Sequence, residues 1–168
     1  MYSKNDIIMY SAEGVCKITD ITKQYVNGKK VDYYVLKPIY SNTALIYVPV
    51  ANELLTSKMH RVLSKEEILT LIRNLRNTET QWIENENIRK VKYKEILSSG
   101  DRCEIIEMIK AIHIHKNYLN ERGRKLHITD ERFLKESEKI LYEEFSVVLN
   151  ITPEEVLPFI KSELGLNE

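Results

Sequence analysis

Glycine is scarce in this chain of 168 residues, with five in all. With it go the glycine-rich loops that cradle phosphates: there is no P-loop, no dinucleotide fingerprint and no glycine–x–serine–x–glycine elbow. Cysteine is scarcer still. Cys16 and Cys103 have neither metal-ligand spacing nor the density of a disulfide scaffold, so free thiols and a cytoplasmic protein are expected. No run approaches the ~18 apolar residues that a membrane span needs, and the first residues carry no signal-peptide core. Net charge of either sign is missing as well, 25 Lys and Arg against 25 Asp and Glu. No internal repeat or low-complexity segment stands out.

What is present is ordinary for a globular chain: 43% hydrophobic and 30% charged residues. The zero net charge hides a polarity. Residues 1–125 hold 21 basic against 15 acidic side chains, and residues 126–168 hold 4 against 10. A basic front and an acidic tail suit a polyanion site beside a neutral or acidic docking face, or only an unevenly charged solvated surface.

Residues 1–60 read as a β module. Strands are expected from Asp6 to Tyr10, after which Ser11-Ala12-Glu13-Gly14 turns, and from Val15 to Tyr25. Asn27-Gly28 marks a hairpin, because both residues tolerate positive φ. Val31 to Lys37 and Ala44 to Val48 follow, with Pro38 and Pro49 at strand ends where no ladder donor is needed. A short fifth strand near His60 to Leu63 would complete a compact barrel of the SH3 or Tudor kind. Of the ten tyrosines, Tyr25, Tyr33, Tyr34, Tyr40 and Tyr47 cluster here, and Tyr47 is the interface candidate among them.

Residues 61–168 read as helical, with about five helices, so the fold class is α+β. Ser64-Lys65-Glu66-Glu67 has the form of a capping box ahead of Ile68, Leu71, Ile72 and Leu75. A second helix is expected from about Glu79 to Ser98, stopped at Gly100, and a third from Asp101. Glu121 to Lys125 reads as a loop, Thr129-Asp130 opens a fourth helix, and Thr152-Pro153-Glu154-Glu155 caps the last.

Chemistry-bearing residues are few. His113 and His115 are two apart at the end of an expected helix, where they point away from each other, and no carboxylate or thiol pattern completes a metal site. The paired glutamates Glu66-Glu67, Glu143-Glu144 and Glu154-Glu155 read as helix starts or solvated faces. No catalytic set, metal or cofactor is expected.

The basic cluster Arg89, Lys90, Lys92 and Lys94 is the better candidate, with Trp82 seven residues before Arg89 and so on the same helical face. Cations there would neutralise phosphates, and an exposed indole would wedge against bases. Equally, Trp82 reads as a core anchor and the lysines as solvated. Lys116, Arg122, Arg124 and Lys125 form a second basic group.

Taken together, the chain resembles the CarD/CdnL family of bacterial transcription regulators, whose first module is shared with transcription–repair coupling factor. The resemblance spans nearly the whole length. It rests on Asp6-x-x-x-Tyr10 with Gly14-Val15, on Tyr34-Val35-Leu36-Lys37, on Ile46-Tyr47-Val48-Pro49, and on Trp82 with Leu97-Ser98-Ser99-Gly100-Asp101. It implies a Tudor-like domain, residues 1–60, that binds the RNA polymerase β subunit through Lys23, Gln24 and Tyr47. It also implies a helical domain, residues 61–168, that binds promoter DNA through the minor groove. Trp82, Arg89, Lys90, Lys92, Lys94, Arg124 and Lys125 are the DNA-binding candidates. Family members often carry arginine where Gln24 and Tyr47 stand, so the polymerase contact here is expected to be less electrostatic. A monomeric, non-enzymatic regulator that alters open-complex stability is the resulting expectation. The alternative is an adaptor whose helical half binds a protein and never touches DNA.

Overall fold

The computed structural model describes residues 1–10 and 13–166, so part of the turn expected at Ser11-Ala12-Glu13-Gly14 lies outside the described residues. The chain divides into two compact units, Met1–Val62 and Leu63–Glu168.

The first unit is a five-stranded antiparallel sheet of order β4-β3-β2-β1-β5. Its strands are β1 (Ile7–Tyr10), β2 (Gly14–Val26), β3 (Lys29–Pro38), β4 (Ile46–Pro49) and β5 (Met59–Arg61). Asn27 and Gly28 take φ of 49° and 75°, so the long β2–β3 hairpin closes in two residues. The register slips between Ile18 and Asp20, and this bulge shifts the in–out parity of β2 by one residue. Ile8, Cys16, Ile18, Tyr34, Leu36, Val48 and Met59 form the core, with the Tyr2 ring edge-on to Tyr34 at 6.1 Å. One element escaped the alternation pattern: the single-turn helix α1 (Glu53–Thr56), capped by Asn52, whose side chain accepts from Leu55 N at 3.1 Å.

The second unit holds α2 (Lys65–Asn74), α3 (Glu86–Ser99), α4 (Arg102–Asn120), α5 (Ile128–Leu149) and α6 (Pro153–Glu163). Ser64 and Glu67 make the reciprocal capping bonds, at 2.7 and 3.1 Å. Asp101 caps α4 through Cys103 N and Glu104 N. Gly100 and Asn150 end α3 and α5 in the left-handed conformation. The core is a single cluster built on Ile68, Ile72, Ile105, Ile112, Leu141 and Phe145.

Two expectations need correction. The helix expected from Glu79 starts only at Glu86; after a short 3-10 turn at Leu75–Asn77, residues 78–85 are not helical. Asn85 caps α3, its side chain accepting from Ile88 N at 3.0 Å. Glu143 and Glu144 are buried rather than solvated. The Glu144 carboxylate accepts from Arg102 Nε and Nη2 at 3.0 and 2.9 Å and from Leu63 N at 2.9 Å. Burial raises the Glu143 carboxyl above its ordinary value, with Lys139 opposing.

Candidate nucleic-acid interface

Because residues 78–85 are not helical, Trp82 and Arg89 do not share a helical face; they meet through a loop. The Arg89 guanidinium carbon lies 4.5 Å from the centroid of the Trp82 ring. Its Nη1 donates to the carbonyl of Ile83 at 2.8 Å and to that of Glu84 at 3.4 Å. Its Nε and Nη2 donate to the two oxygens of Asp130 at 2.7 and 2.8 Å, a bidentate pair between α3 and α5. At 5% exposure Arg89 is an interior residue. It is occupied by Asp130 and the loop, so its role here is to hold the Trp82 segment in place.

Trp82 is half-buried against the helical core, and its ring stacks on His115 at 3.7 Å with 7° between planes. His115 in turn faces Tyr118 at 5.9 Å and 21°, and Arg122 lies over Tyr118 at 3.7 Å. Residues 115 and 118 fall one helical turn apart on α4, and Arg122 follows in the turn after it, which aligns the column. Burial lowers the His115 pKa, helped by the positive charges of Arg89 and Arg124 and opposed by Glu84 and Asp130. His113 is engaged elsewhere, its Nε2 2.6 Å from Glu138 Oε1. Among the described residues no group of three or more His, Cys, Asp and Glu is arranged to hold a metal ion. Deeper in, the Tyr93 hydroxyl is pushed up to about 12, by burial and then by Asp130.

The remaining basic candidates separate into two sets. Lys90 is half-buried and pairs with Glu86 at 3.0 Å, one turn back on α3. Lys92 and Lys94 are exposed on the same helix and have no ion-pair partner among the described residues. Arg124 and Lys125 are also exposed and unpaired among those residues, in the α4–α5 loop, and they share a cavity with Trp82, His115 and Tyr118. The structure thus brings Trp82 together with Arg124 and Lys125, a pairing that linear spacing concealed. The residues that sequence reasoning missed are Asp130, the partner of Arg89, and His115, read only for metal binding. Neither carries a signal local in the chain.

On the sheet, Tyr47 stands opposite Val35, and Gln24 opposite Val31. Both partners alternate with the buried Tyr34, so Tyr47 and Gln24 share the face away from the core, about 13 Å apart along the strand. Lys23 pairs with Asp32 and falls on the other face. All three are exposed. Among the described residues no helix is long and apolar enough to cross a membrane.

Comparison with known proteins matches this division. A family model described as the CarD-like/TRCF RID domain matches residues 2–63, and one described as the CarD C-terminal domain matches residues 70–161. No curated protein matches the chain. The two matches cover the sheet and the helical bundle in order, the second alone spanning more than half of the sequence. The chain therefore belongs to the CarD family, as an RNA polymerase-interacting regulator of transcription.

Proposed function

We propose that this protein bridges RNA polymerase and promoter DNA and alters the stability of the open complex. The sheet domain docks on the polymerase β subunit, with Tyr47 and Gln24 on the contacting face and Lys23 reaching the subunit from the opposite face of β2. The helical domain holds DNA through Lys90, Lys92, Lys94, Arg124 and Lys125, with little base discrimination and from the minor groove, where Trp82 lies at the fork. The protein acts as a monomer in the cytoplasm. The observation that supports this reading most is that Lys92, Lys94, Arg124 and Lys125 all lack an ion-pair partner among the described residues. In a chain of zero net charge, four such cations on one domain are available to phosphates. Docking on polymerase raises their local concentration at the promoter, so the DNA contact need not be tight. The test uses the full chain: Tyr47→Glu should lose polymerase capture and any effect on open-complex lifetime, with its melting temperature unchanged. Full capture by that variant would reject the docking face.

One observation favours a second reading, in which the helical domain binds a protein. Ile88 and Val91, three residues apart on α3, are 60% and 59% exposed. Ile88→Ser with Val91→Ser should leave DNA affinity intact if DNA is the partner.

A further inference from the structure

The β2–β3 hairpin outruns the sheet that carries it. β1 pairs with β2 only as far as Lys17, and β4 pairs with β3 only from Tyr33 onward. Residues 24–26 and 29–31 pair with each other alone, as a two-stranded ribbon closed by Asn27 and Gly28. Lys30 stands about 17 Å along β3 from Val35, the residue opposite Tyr47. On one face of the ribbon Tyr25, 76% exposed, opposes Lys30; on the other Val26 opposes Lys29. There is no acidic residue between Ile21 and Val31, and Asp20 just before them is paired with Lys4 at 3.6 Å. Among the described residues Lys29 and Lys30 have no ion-pair partner, and the Tyr25 hydroxyl has no hydrogen-bond partner.

Lysines alone would be accounted for as guards of an open strand edge. Tyr25 has no such use, since it adds apolar surface where an edge needs charge. The placing of the cations on both faces selects the partner. A carboxylate patch on a protein surface faces one side of a prong. A DNA groove carries phosphates along both walls, and the major groove, about 12 Å wide, admits a two-stranded β-ribbon. We infer that the tip of the β2–β3 hairpin is a second DNA contact, entering the major groove of a duplex. Lys29 and Lys30 meet phosphates on opposite walls, and the Tyr25 hydroxyl donates to a phosphate oxygen. Such contacts position the protein and carry no sequence information. The contact belongs to the sheet domain and is separate from the one proposed for the helical domain; Lys23, nearer the sheet, stays with the polymerase.

The full chain, without polymerase, is titrated against a short labelled duplex by anisotropy at several salt concentrations. Lys29→Gln with Lys30→Gln should reduce the log–log salt slope by about 1.8, the sum for two phosphates released. Tyr25→Phe should keep the slope and weaken binding about tenfold, through loss of one donor to a charged acceptor. These positions are exposed, so the melting temperature should not move. The same decrements should appear in a Lys92→Gln, Lys94→Gln background, because those lysines stand on the other domain. Polymerase capture should be unchanged in every hairpin variant. An unchanged slope in the Lys29, Lys30 double variant would overturn the proposal. So would loss of polymerase capture with duplex binding intact, which would give the hairpin an acidic protein partner instead. If the α3 variant binds duplex as the parent does while the hairpin variants do not, the helical contact fails and this one stands.

Discussion

Arg89 and Asp130 form a bidentate ion pair, at 2.7 and 2.8 Å, in the interior of the helical domain, both side chains under a tenth exposed. The pair does two jobs at once. It ties α3 to α5, and it frees Nη1 to gather the carbonyls of Ile83 and Glu84, which fixes the loop carrying Trp82. A positive charge on the sequence stretch most suggestive of DNA binding is thereby a structural group.

Asp130→Ala should destabilise the protein by about 3–5 kcal/mol, because the Arg89 charge is left buried without its partner. Arg89→Met with Asp130→Leu should recover much of that loss. Denaturant unfolding measures both, and a single Asp130 variant as stable as the parent would contradict the pairing.

Trp82 emission should titrate with a midpoint below the ordinary histidine value of 6.5, since burial favours neutral His115. The sign follows from linkage: the group is neutral when folded, so the stability it contributes is full above the unfolded value. That stability is lost as pH falls through 6.5 toward the lower folded value. His115→Asn should abolish the titration, which steady-state fluorescence across the acid-to-neutral range would show.

Glu143 runs in the opposite sense. Its folded carboxyl is raised by burial, so folding is penalised once pH exceeds the ordinary value of 4.5 and fully so above the folded value. Glu143→Gln should therefore raise the melting temperature at neutral pH and change it little well below the ordinary carboxylate value. Scanning calorimetry at the two pH values decides it.

Signals confined to a few neighbouring residues were legible in the sequence. The Ser64–Glu67 box, the Asn27-Gly28 hairpin and the Gly100 stop each act through adjacent backbone groups, and each sits where its chemistry requires. What was not legible depends on partners far along the chain. Residues 78–85 have no breaker that forbids a helix; they are held by Arg89, which is itself fixed by Asp130, 41 positions away. Glu143-Glu144 reads as a polar surface pair until Arg102, 42 positions before Glu144, is seen to neutralise Glu144. His115 shows the same limit, since nothing near it in sequence announces Trp82.

The lysines of α3 should differ among themselves. Lys92→Gln and Lys94→Gln should each reduce the log–log salt slope of DNA binding by about 0.9 for every phosphate that the side chain had neutralised. Lys90→Gln should matter less, as Lys90 is already engaged by Glu86 at 3.0 Å. Equal slopes for all three variants would mean that the intrahelical pair opens on binding.

Replacing Trp82 with alanine should expose two consequences of one position. The indole packs against the helical core and stacks on His115, yet it is only half-buried. Its loss should therefore cost about 2 kcal/mol, less than the ~3–5 of a fully buried large-to-small aromatic change. That is a loss the fold can bear, so the variant can still be tested for function. If the indole also meets DNA at the bubble edge, open-complex lifetime should shorten while polymerase capture is unchanged. Trp82→Phe separates the two effects: a ring restores stacking on His115 but reaches less far from the loop. Recovery of melting temperature without recovery of lifetime would assign the indole a contact outside the protein. Recovery of both would confine it to holding the loop.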